Sequence, residues 1–219
     1  MARILLLHGL GGTGATMQPL ADALTALGHT ALAPTLPGHG SDPTDLANTT
    51  WEDWLAAVRE AAQRHRTAVV VGQSLGGALA LALAAQGGCS AVAAISTPAA
   101  DPDALDGLVW RRSRGHEWVE GAPLADGEMG YTRLPIAALI AMTEGVLATD
   151  LAAIAVPVLL VSGALDDSAD PAAAELIARA LNGEVRRLVL QHSGHVASLG
   201  PEQDALSHAI DTFVCTLGL

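Results

Sequence analysis

Short uninterrupted apolar runs recur along the chain, and longer segments that mix apolar and polar positions separate them. Apolar runs without alternation are typical of parallel strands covered on both faces, because such strands have no solvent-facing side. They predict strands at 3–8, 29–33, 67–72, 91–96, 154–162 and 185–190. The mixed segments predict helices at 16–27, 51–65, 75–86, 171–181 and 201–217. This alternation predicts an α/β fold with a doubly wound, mainly parallel sheet of about six strands.

Several residues predict where helices begin and end. Gly28 is placed to stop the first helix, and Thr49 or Thr50 is a suitable N-cap for the second. Pro171 suits the first turn of the fourth helix. In sheets of this kind ligands bind beyond the carboxyl ends of the strands, so the loops after the strands are where chemistry is expected.

One stretch breaks the alternation. Between Pro98 and Ala153 no convincing strand is visible; residues 101–133 are charged and irregular, and residues 134–147 are apolar and helical in pattern. A structureless loop of this length is unusual inside a compact domain. We therefore expect a single domain over 1–219 with a small inserted cap at 99–153, which is called the cap below.

Composition and charge exclude several classes of protein. The 219 residues are 50% apolar and 16% charged, which excludes disorder, and the net charge of −12 includes no lysine. An acidic, arginine-only surface argues against nucleic acid and against stable association with anionic membranes. The longest apolar run, 78–85, is far shorter than the roughly 20 residues that span a bilayer. These features predict a cytoplasmic protein. A small-molecule partner and a monomeric or homodimeric state are expected as well.

The strongest local signal is Gly72-Gln73-Ser74-Leu75-Gly76, directly between a predicted strand and a predicted helix. This G-x-S-x-G pattern in this context predicts a nucleophile elbow, a sharp turn that presents the serine hydroxyl to a cleft. The flanking glycines are needed because the turn leaves no room for side chains. The alternative interpretation of the same residues is a glycine-rich turn between a strand and a helix that has no catalytic role.

A serine nucleophile needs a base and an orienting acid, which in an elbow enzyme follow in the order acid, then histidine. Asp166 and Asp167 follow the fifth predicted strand, and His192 and His195 follow the sixth. Asp166 is favoured as the acid over Asp167 and Asp170, since Asp170 is better explained as an N-cap. His195 is favoured as the base because the preceding glycine lets the loop turn its imidazole into the cleft. A zinc site on the two histidines lacks further ligands nearby in sequence.

The first strand ends in His8-Gly9-Leu10-Gly11-Gly12. In an elbow enzyme this loop supplies one backbone N–H of the oxyanion hole, and the residue after the nucleophile supplies the other. The expected donors are Leu10 and Leu75. A phosphate-binding loop is excluded because its lysine is missing, and a dinucleotide fingerprint is not formed.

Together these motifs resemble α/β-hydrolases of the bacterial carboxylesterase and monoacylglycerol lipase group. The resemblance runs the length of the chain, with the matching segments at 8–12, 33–40, 50–54, 72–77, 165–167 and 192–196. It implies the α/β-hydrolase fold and a triad of Ser74, Asp166 and His195. The family's N-terminal antiparallel edge strands are expected to be missing. Leu10 occupies a position that often carries an aromatic residue in relatives.

The resemblance and the residues together predict a serine hydrolase that cleaves short- to medium-chain carboxylic esters or monoacylglycerols through an acyl-enzyme, without metal or organic cofactor. The alternatives are a thioesterase or lactonase with the same triad, and a non-catalytic ligand-binding hydrolase fold. Several apolar cap residues are candidates to line the acyl pocket, although the helical half could simply pack on the sheet. The candidate substrate-binding residues are Trp110, Trp118, Met129, Leu134 and Ile140.

Overall fold

Six parallel strands form the central sheet in the computed structural model, which describes residues 1–170 and 172–219. The strands, in chain order, are β1 (Arg3–Leu7), β2 (Thr30–Leu32), β3 (Val69–Gln73), β4 (Ala91–Ile95), β5 (Trp118–Glu120), β6 (Arg133–Pro135), β7 (Val158–Gly163) and β8 (Val185–Leu190). The central sheet has the order β2-β1-β3-β4-β7-β8, with every neighbouring pair parallel. The predicted α/β fold and six-stranded parallel sheet are confirmed.

Eight α-helices lie between and beside the described strands. They are α1 (Gly14–Ala26), α2 (Pro43–Ala47), α3 (Trp51–His65), α4 (Leu75–Ala85), α5 (Pro102–Ser113), α6 (Ile136–Ala148), α7 (Ala173–Ala180) and α8 (Gln203–Thr216). Short 3₁₀ helices occupy Leu151–Ala153 and Ala197–Leu199. The predicted Pro171 in the first turn of the fourth helix lies outside the described residues. None of the described helices combines the length and apolar character needed to cross a bilayer.

The sheet separates two hydrophobic cores, and this explains why its strands are apolar without alternation. Leu5 and Leu7 of β1 pack into the core that includes α3 and α4, whereas Ile4 and Leu6 pack into the core that includes α1 and α8. Successive side chains of a strand point to opposite faces, so a strand covered on both sides must be apolar at every position. Helix α4 is buried on nearly all sides, consistent with its uniformly apolar sequence.

Two predicted helix boundaries are found in the structure, namely the start of α3 after Thr50 and the end of α1 before Gly28. The Thr50 hydroxyl accepts a hydrogen bond from the Asp53 N–H at 3.2 Å, and the Asp53 carboxylate accepts one from the Thr50 N–H at 2.9 Å. This reciprocal capping box begins α3. Gly28 follows the end of α1 with φ +96°, a conformation that glycine adopts without steric cost.

The prediction that the cap contains no strand is wrong. Strands β5 and β6 pair antiparallel, with Val119 opposite Leu134, and β6 leads directly into α6. Strands of three residues are too short to produce a recognisable hydrophobic period, and one of them lies in a segment of mixed charge. The charged half also contains α5, whose side chains are not buried, so it lacks the apolar stripe that predicts a helix.

Helix α6 is held against the body of the protein by close packing at a glycine. The ring of Trp51 in α3 lies so close to Gly145 in α6 that any side chain at this position would overlap the indole. Trp54, one turn further along α3, is fully buried, and its Nε1–H donates to the Pro37 carbonyl at 3.0 Å. Both tryptophans therefore serve packing, and the Trp51 contact holds α6 against α3.

Candidate active site

Ser74 lies on the sharp turn that joins β3 to α4. Its backbone has φ 55° and ψ −117°, a region that residues other than glycine rarely occupy. The Ser74 N–H donates to the Ile95 carbonyl of the neighbouring strand β4 at 2.9 Å, which helps to hold the strained turn. The turn and its strain match the expected nucleophile elbow.

The glycines beside Ser74 are required by backbone contacts. A Cβ on Gly72 would overlap the backbone of Gly76, and a Cβ on Gly76 would overlap the carbonyl of Leu7 at the end of β1. Strand β3 therefore passes into α4 with no space for side chains on either side of the serine. The spacing of the G-x-S-x-G pattern is a steric requirement of this geometry.

The candidate base and acid lie at the same edge of the sheet. Asp166 follows β7 and His195 follows β8, and the Nδ1 of His195 is 3.0 Å from both carboxylate oxygens of Asp166. Ser74 and His195 line one cavity. In the described part of the chain no hydrogen bond joins Ser74 Oγ to the imidazole in this state. The Nε2 atom is the ring nitrogen left available to the serine, because Nδ1 faces the carboxylate.

The Asp166 side chain is only 6% exposed, and its carboxylate accepts further hydrogen bonds from the backbone N–H groups of Ser168 at 2.9 Å and Ala169 at 3.0 Å. Burial alone would raise the pKa of this carboxyl. The hydrogen bonds from His195 and the two amides, together with the His195 charge, outweigh burial and lower the pKa of Asp166 to about 2. Asp166 therefore stays ionised at neutral pH and can orient the imidazole.

The structure separates the alternative residues from this arrangement. Asp167 is exposed and its carboxylate accepts a hydrogen bond from the Ser168 hydroxyl at 3.2 Å. Asp170 accepts from the Ala172 N–H at 2.8 Å, just before α7, which agrees with a capping role. His192 is exposed, and its backbone N–H donates to Glu202 at 2.7 Å. Asp166 and His195 are thus the pair that the fold brings together.

Glu202, which sequence reasoning did not identify, holds the loop that carries His195. Its carboxylate accepts hydrogen bonds from the backbone N–H groups of Gln191 and His192 and from the hydroxyl of the buried Ser193. Burial raises the pKa of Glu202, but these hydrogen bonds outweigh it and hold the pKa below its usual value. The only sequence signal is an acidic residue at the start of a helix, which is too common to assign.

The two candidate oxyanion donors, Leu10 and Leu75, belong to segments that adjoin Ser74. Leu75 is the first residue of α4, and Leu10 lies in the loop after β1, whose Gly9 packs against the Ser74 side chain. In the described residues neither amide donates a hydrogen bond to the protein. The positive end of the α4 dipole also points toward the serine. The candidate donors Leu10 and Leu75 therefore lie beside Ser74 with free N–H groups.

His8 links the loop of Leu10 to the loop after β2. It is fully buried; its Nδ1 bonds the Gly9 carbonyl at 2.8 Å, and its Nε2 accepts from the Leu36 N–H at 2.9 Å. The His39 ring packs edge-on against it, with centroids 4.8 Å apart. Burial, and to a lesser extent His39, lower the pKa of His8 to about 3. His8 is therefore a neutral cross-link that needs one specific tautomer.

Acidification is expected to destabilise the protein through His8. The unfolded residue has a pKa near 6.5 and the folded one about 3, so between these values the unfolded state binds more protons. The contribution of His8 to the free energy of unfolding is complete above about pH 6.5. It is lost as the pH falls toward 3, by up to about 1.4 kcal/mol per pH unit. His39, whose pKa is also lowered by burial, adds to the same slope.

Urea unfolding at several pH values between 7 and 4 measures this slope. His8→Gln is expected to lower the number of protons taken up on unfolding by up to one in this pH range. This expectation holds whatever the effect of the substitution on stability at pH 7. His208→Gln is the matched control, because His208 is exposed. A His8→Gln slope equal to that of the wild type would contradict the assignment of the proton to His8.

A cavity of about 760 Å³ opens in front of Ser74 and His195. The apolar part of its wall includes Leu10, Pro98, Val119, Leu124, Tyr131, Leu134, Leu139, Met142 and Leu199. The charged residues that line it are all acidic, namely Glu120, Glu128 and Asp167. The cavity therefore suits an uncharged organic group with an apolar portion.

Of the five candidate substrate-binding residues, the structure brings only Leu134 to this cavity. Trp110 is 58% exposed on α5 and Met129 is 61% exposed on a loop. Trp118 stacks under the Arg133 guanidinium, 4.6 Å from the ring centroid, and Ile140 is buried within the packing of α6. Size and apolarity make the other four residues candidates in the sequence, but these properties do not say which face of a short element meets the cleft.

A second cluster of polar residues lies away from this cavity, where β2 begins and α8 ends. His29 Nδ1 accepts from the Ala2 N–H at 3.2 Å, so Nε2 carries the proton and donates to Asp211 at 3.0 Å. Cys215 donates to the same carboxylate at 3.4 Å. Although the three side chains are close enough to suggest a metal site, His29 has no free lone pair to offer. The cluster is a hydrogen-bonded link between the first helix–strand turn and α8.

Comparison with known proteins gives concordant results. A model of the Alpha/beta hydrolase family matches residues 4–206. The chain is 32% identical to a thermostable monoacylglycerol lipase of Bacillus sp. strain H-257 over 91% of this chain and 85% of that protein. It is 35% identical to a carboxylesterase of Bacillus subtilis strain 168 over 36% of this chain and 35% of that protein. A solved structure from work on the metagenome-derived lipolytic enzymes LipS and LipT has a TM-score of 0.87 and 25% identity, covering 99% of this chain and 95% of that chain.

Proposed function

The chain belongs to the alpha/beta hydrolase family and is an ester-hydrolysing enzyme, and from this premise we propose that it is a carboxylesterase acting through a covalent acyl-enzyme on Ser74. The observation that carries the proposal is the single cavity shared by Ser74 and His195, with the His195 Nδ1 held 3.0 Å from the buried Asp166 carboxylate. A nucleophile, a base and an ionised orienting acid are the groups that acyl transfer requires.

In the first half-reaction Ser74 Oγ attacks the ester carbonyl while His195 Nε2 accepts the hydroxyl proton. Asp166 keeps the proton of the neutral imidazole on Nδ1 and stabilises the imidazolium that forms. The carbonyl oxygen becomes an oxyanion that accepts hydrogen bonds from the Leu10 and Leu75 N–H groups, each worth about 3–4 kcal/mol in comparable sites. His195 then protonates the leaving alcohol as the bond between the carbonyl carbon and the alkoxy oxygen breaks.

In the second half-reaction water replaces the alcohol. His195 Nε2 removes a proton from the water as it attacks the acyl carbonyl, the same two N–H groups hold the oxyanion, and the proton passes to Ser74 Oγ as the acid leaves. The ionised Asp166 serves both halves without changing its own protonation state. No step of this sequence requires a group beyond those that the chain supplies.

The proposed substrates are short- to medium-chain carboxylic esters and monoacylglycerols. The apolar wall formed by Leu134, Leu139 and Met142 supports an acyl chain in the cavity, and its acidic residues disfavour a substrate with an anionic group nearby. The similarity to a monoacylglycerol lipase over most of both chains supports the same substrate class. Thioesters and lactones are the alternatives that the same three residues could serve.

A series of 4-nitrophenyl esters tests this proposal. Each added methylene buried in the cavity contributes about 0.8 kcal/mol, so kcat/KM is expected to rise up to about fourfold per methylene and to level off once the acyl chain fills the cavity. A monoacylglycerol of the preferred acyl group, an acyl thioester and a lactone are compared at equal concentration. Faster turnover of the thioester or the lactone, relative to the spontaneous reaction, would contradict the carboxylesterase assignment.

The remaining sequence-based expectations stay predictions. A small-molecule partner without nucleic acid or stable membrane association, a cytoplasmic location and a monomeric or homodimeric state are consistent with the proposed reaction, and none is required by it. A single domain with an inserted cap at 99–153 also stays a prediction.

A further inference from the structure

Gln73, the residue directly before Ser74, connects the serine turn to the loop that carries His195. Its side chain is buried, and its Oε1 accepts a hydrogen bond from the backbone N–H of Ser198 at 3.1 Å, across 125 positions. Ser198 is also fully buried and lies in the 3₁₀ helix Ala197–Leu199, three residues after His195. The contact therefore joins the nucleophile turn (72–76) to the histidine loop (191–200).

The two segments are otherwise anchored to different elements. The nucleophile turn is tied to β4 through Ile95, whereas the histidine loop is tied to Asp166 after β7 and to Glu202 before α8. Within the described residues no other hydrogen bond joins the two segments. A relative movement of β3 and the histidine loop would thus be opposed chiefly by packing if the Gln73 bond were absent.

We propose that Gln73 is a positioning residue that sets the distance and orientation between His195 Nε2 and Ser74 Oγ. This inference rests on the proposed function. Proton transfer needs a donor–acceptor distance of about 2.6–3.2 Å, so a small displacement of the imidazole removes much of its effect. A glutamine suits the position because its amide oxygen accepts a hydrogen bond from a buried N–H that would otherwise be unpaired.

An apolar residue at position 73 would destabilise the protein. Strand β3 is apolar up to Gly72, and an apolar side chain at position 73 would continue that pattern. It would however leave the buried Ser198 N–H without an acceptor, and buried backbone N–H groups are almost always paired. The polar side chain of Gln73 therefore serves the hydrogen bond to the histidine loop, and packing of the core does not require it.

The test compares three variants in ester hydrolysis and in labelling of Ser74 by a fluorophosphonate. Gln73→Met removes the acceptor at similar side-chain length, and Gln73→Glu retains an acceptor oxygen. Ser207→Ala is the control, because Ser207 is a buried serine of α8 outside both segments and its hydroxyl donates to the Asp204 carbonyl at 2.9 Å. Thermal unfolding of each variant is measured in parallel.

Gln73→Met is expected to lower kcat and the labelling rate together by about 10- to 100-fold with little change in KM, as misplacement of a catalytic group by up to 1 Å does. Gln73→Glu is expected to restore most of this loss, and Ser207→Ala to keep the wild-type kcat even if it unfolds at a lower temperature. The proposal is overturned if Gln73→Met keeps the wild-type kcat, if Ser207→Ala loses as much, or if Gln73→Glu is as slow as Gln73→Met. A wild-type protein without ester hydrolysis or labelling would instead refute the proposed function.

Discussion

Ser74→Ala is expected to lower kcat for the best ester substrate by about 10⁶-fold, as loss of the nucleophile does in other enzymes with a serine triad. The effect is expected to be this large because Ser74 is the one hydroxyl-bearing residue of the strained turn between β3 and α4, beside the proposed oxyanion donors Leu10 and Leu75. The residual rate would come from substrate binding and the two N–H donors alone. Steady-state hydrolysis of a 4-nitrophenyl ester measures the change.

Labelling with a fluorophosphonate provides a second measurement on the same variant. The wild type is expected to acquire one covalent adduct, which peptide mass spectrometry places on Ser74, and Ser74→Ala is expected to acquire none. Ser113→Ala is a suitable control, since Ser113 is exposed at the end of α5 and its hydroxyl donates only to the Trp110 carbonyl. An adduct on another serine, or hydrolysis by Ser74→Ala near the wild-type rate, would refute the assignment of the nucleophile.

Asp166→Asn is expected to reduce kcat by about 10⁴-fold, the second largest effect. The neutral amide can donate its N–H to Nδ1 of His195, which moves the imidazole proton to Nε2 and leaves no lone pair for the serine proton. The amide also fails to stabilise the imidazolium. Because the buried Asp166 carboxyl has a pKa of about 2, the wild type carries this charge throughout the range in which activity is measured.

Asp167→Asn is the matched comparison, with the same chemical change one residue later. Asp167 is exposed and its carboxylate is bonded to the Ser168 hydroxyl, so its loss is expected to change kcat by less than about threefold. Parallel kcat and KM measurements on the two variants separate the candidates. A large loss of kcat in Asp167→Asn together with a nearly normal Asp166→Asn would reverse the assignment of the acid.

The framework of the fold was predictable because its signals are local. The strand predicted at 185–190 and the helix predicted at 51–65 have the same bounds in the structure, since each begins and ends at changes of hydrophobic pattern or at a capping residue such as Thr50. Strands β5 and β6 were not predictable in this way. They exist because each is the other's partner, and Val119 and Leu134 are adjacent only once the cap has folded.

The candidate site likewise contains residues that a local pattern predicts and residues whose roles depend on distant partners. Ser74 could be singled out because the glycines of its turn are a steric necessity that leaves a fixed spacing in the sequence. The roles of Gln73, His8 and Glu202 could not be predicted, because their partners Ser198, Leu36 and Ser193 are far along the chain or belong to unremarkable loops. Nothing in a local pattern indicates which distant amide a buried polar side chain will meet.

The amino-acid order alone was sufficient to give the six strands of the central sheet and the main helices between them, the parallel arrangement of that sheet and the three loops in which acyl-transfer chemistry was to be sought. These properties follow from periodicity, capping and turn sterics, which act over a few residues. Tertiary contacts were needed to distinguish Asp166 from Asp167, to bring the pKa of Asp166 to about 2, and to place Leu134 rather than Trp110 against the cavity. Burial, hydrogen bonding and cavity shape depend on residues that are distant in sequence, so they come into existence only when the chain has folded.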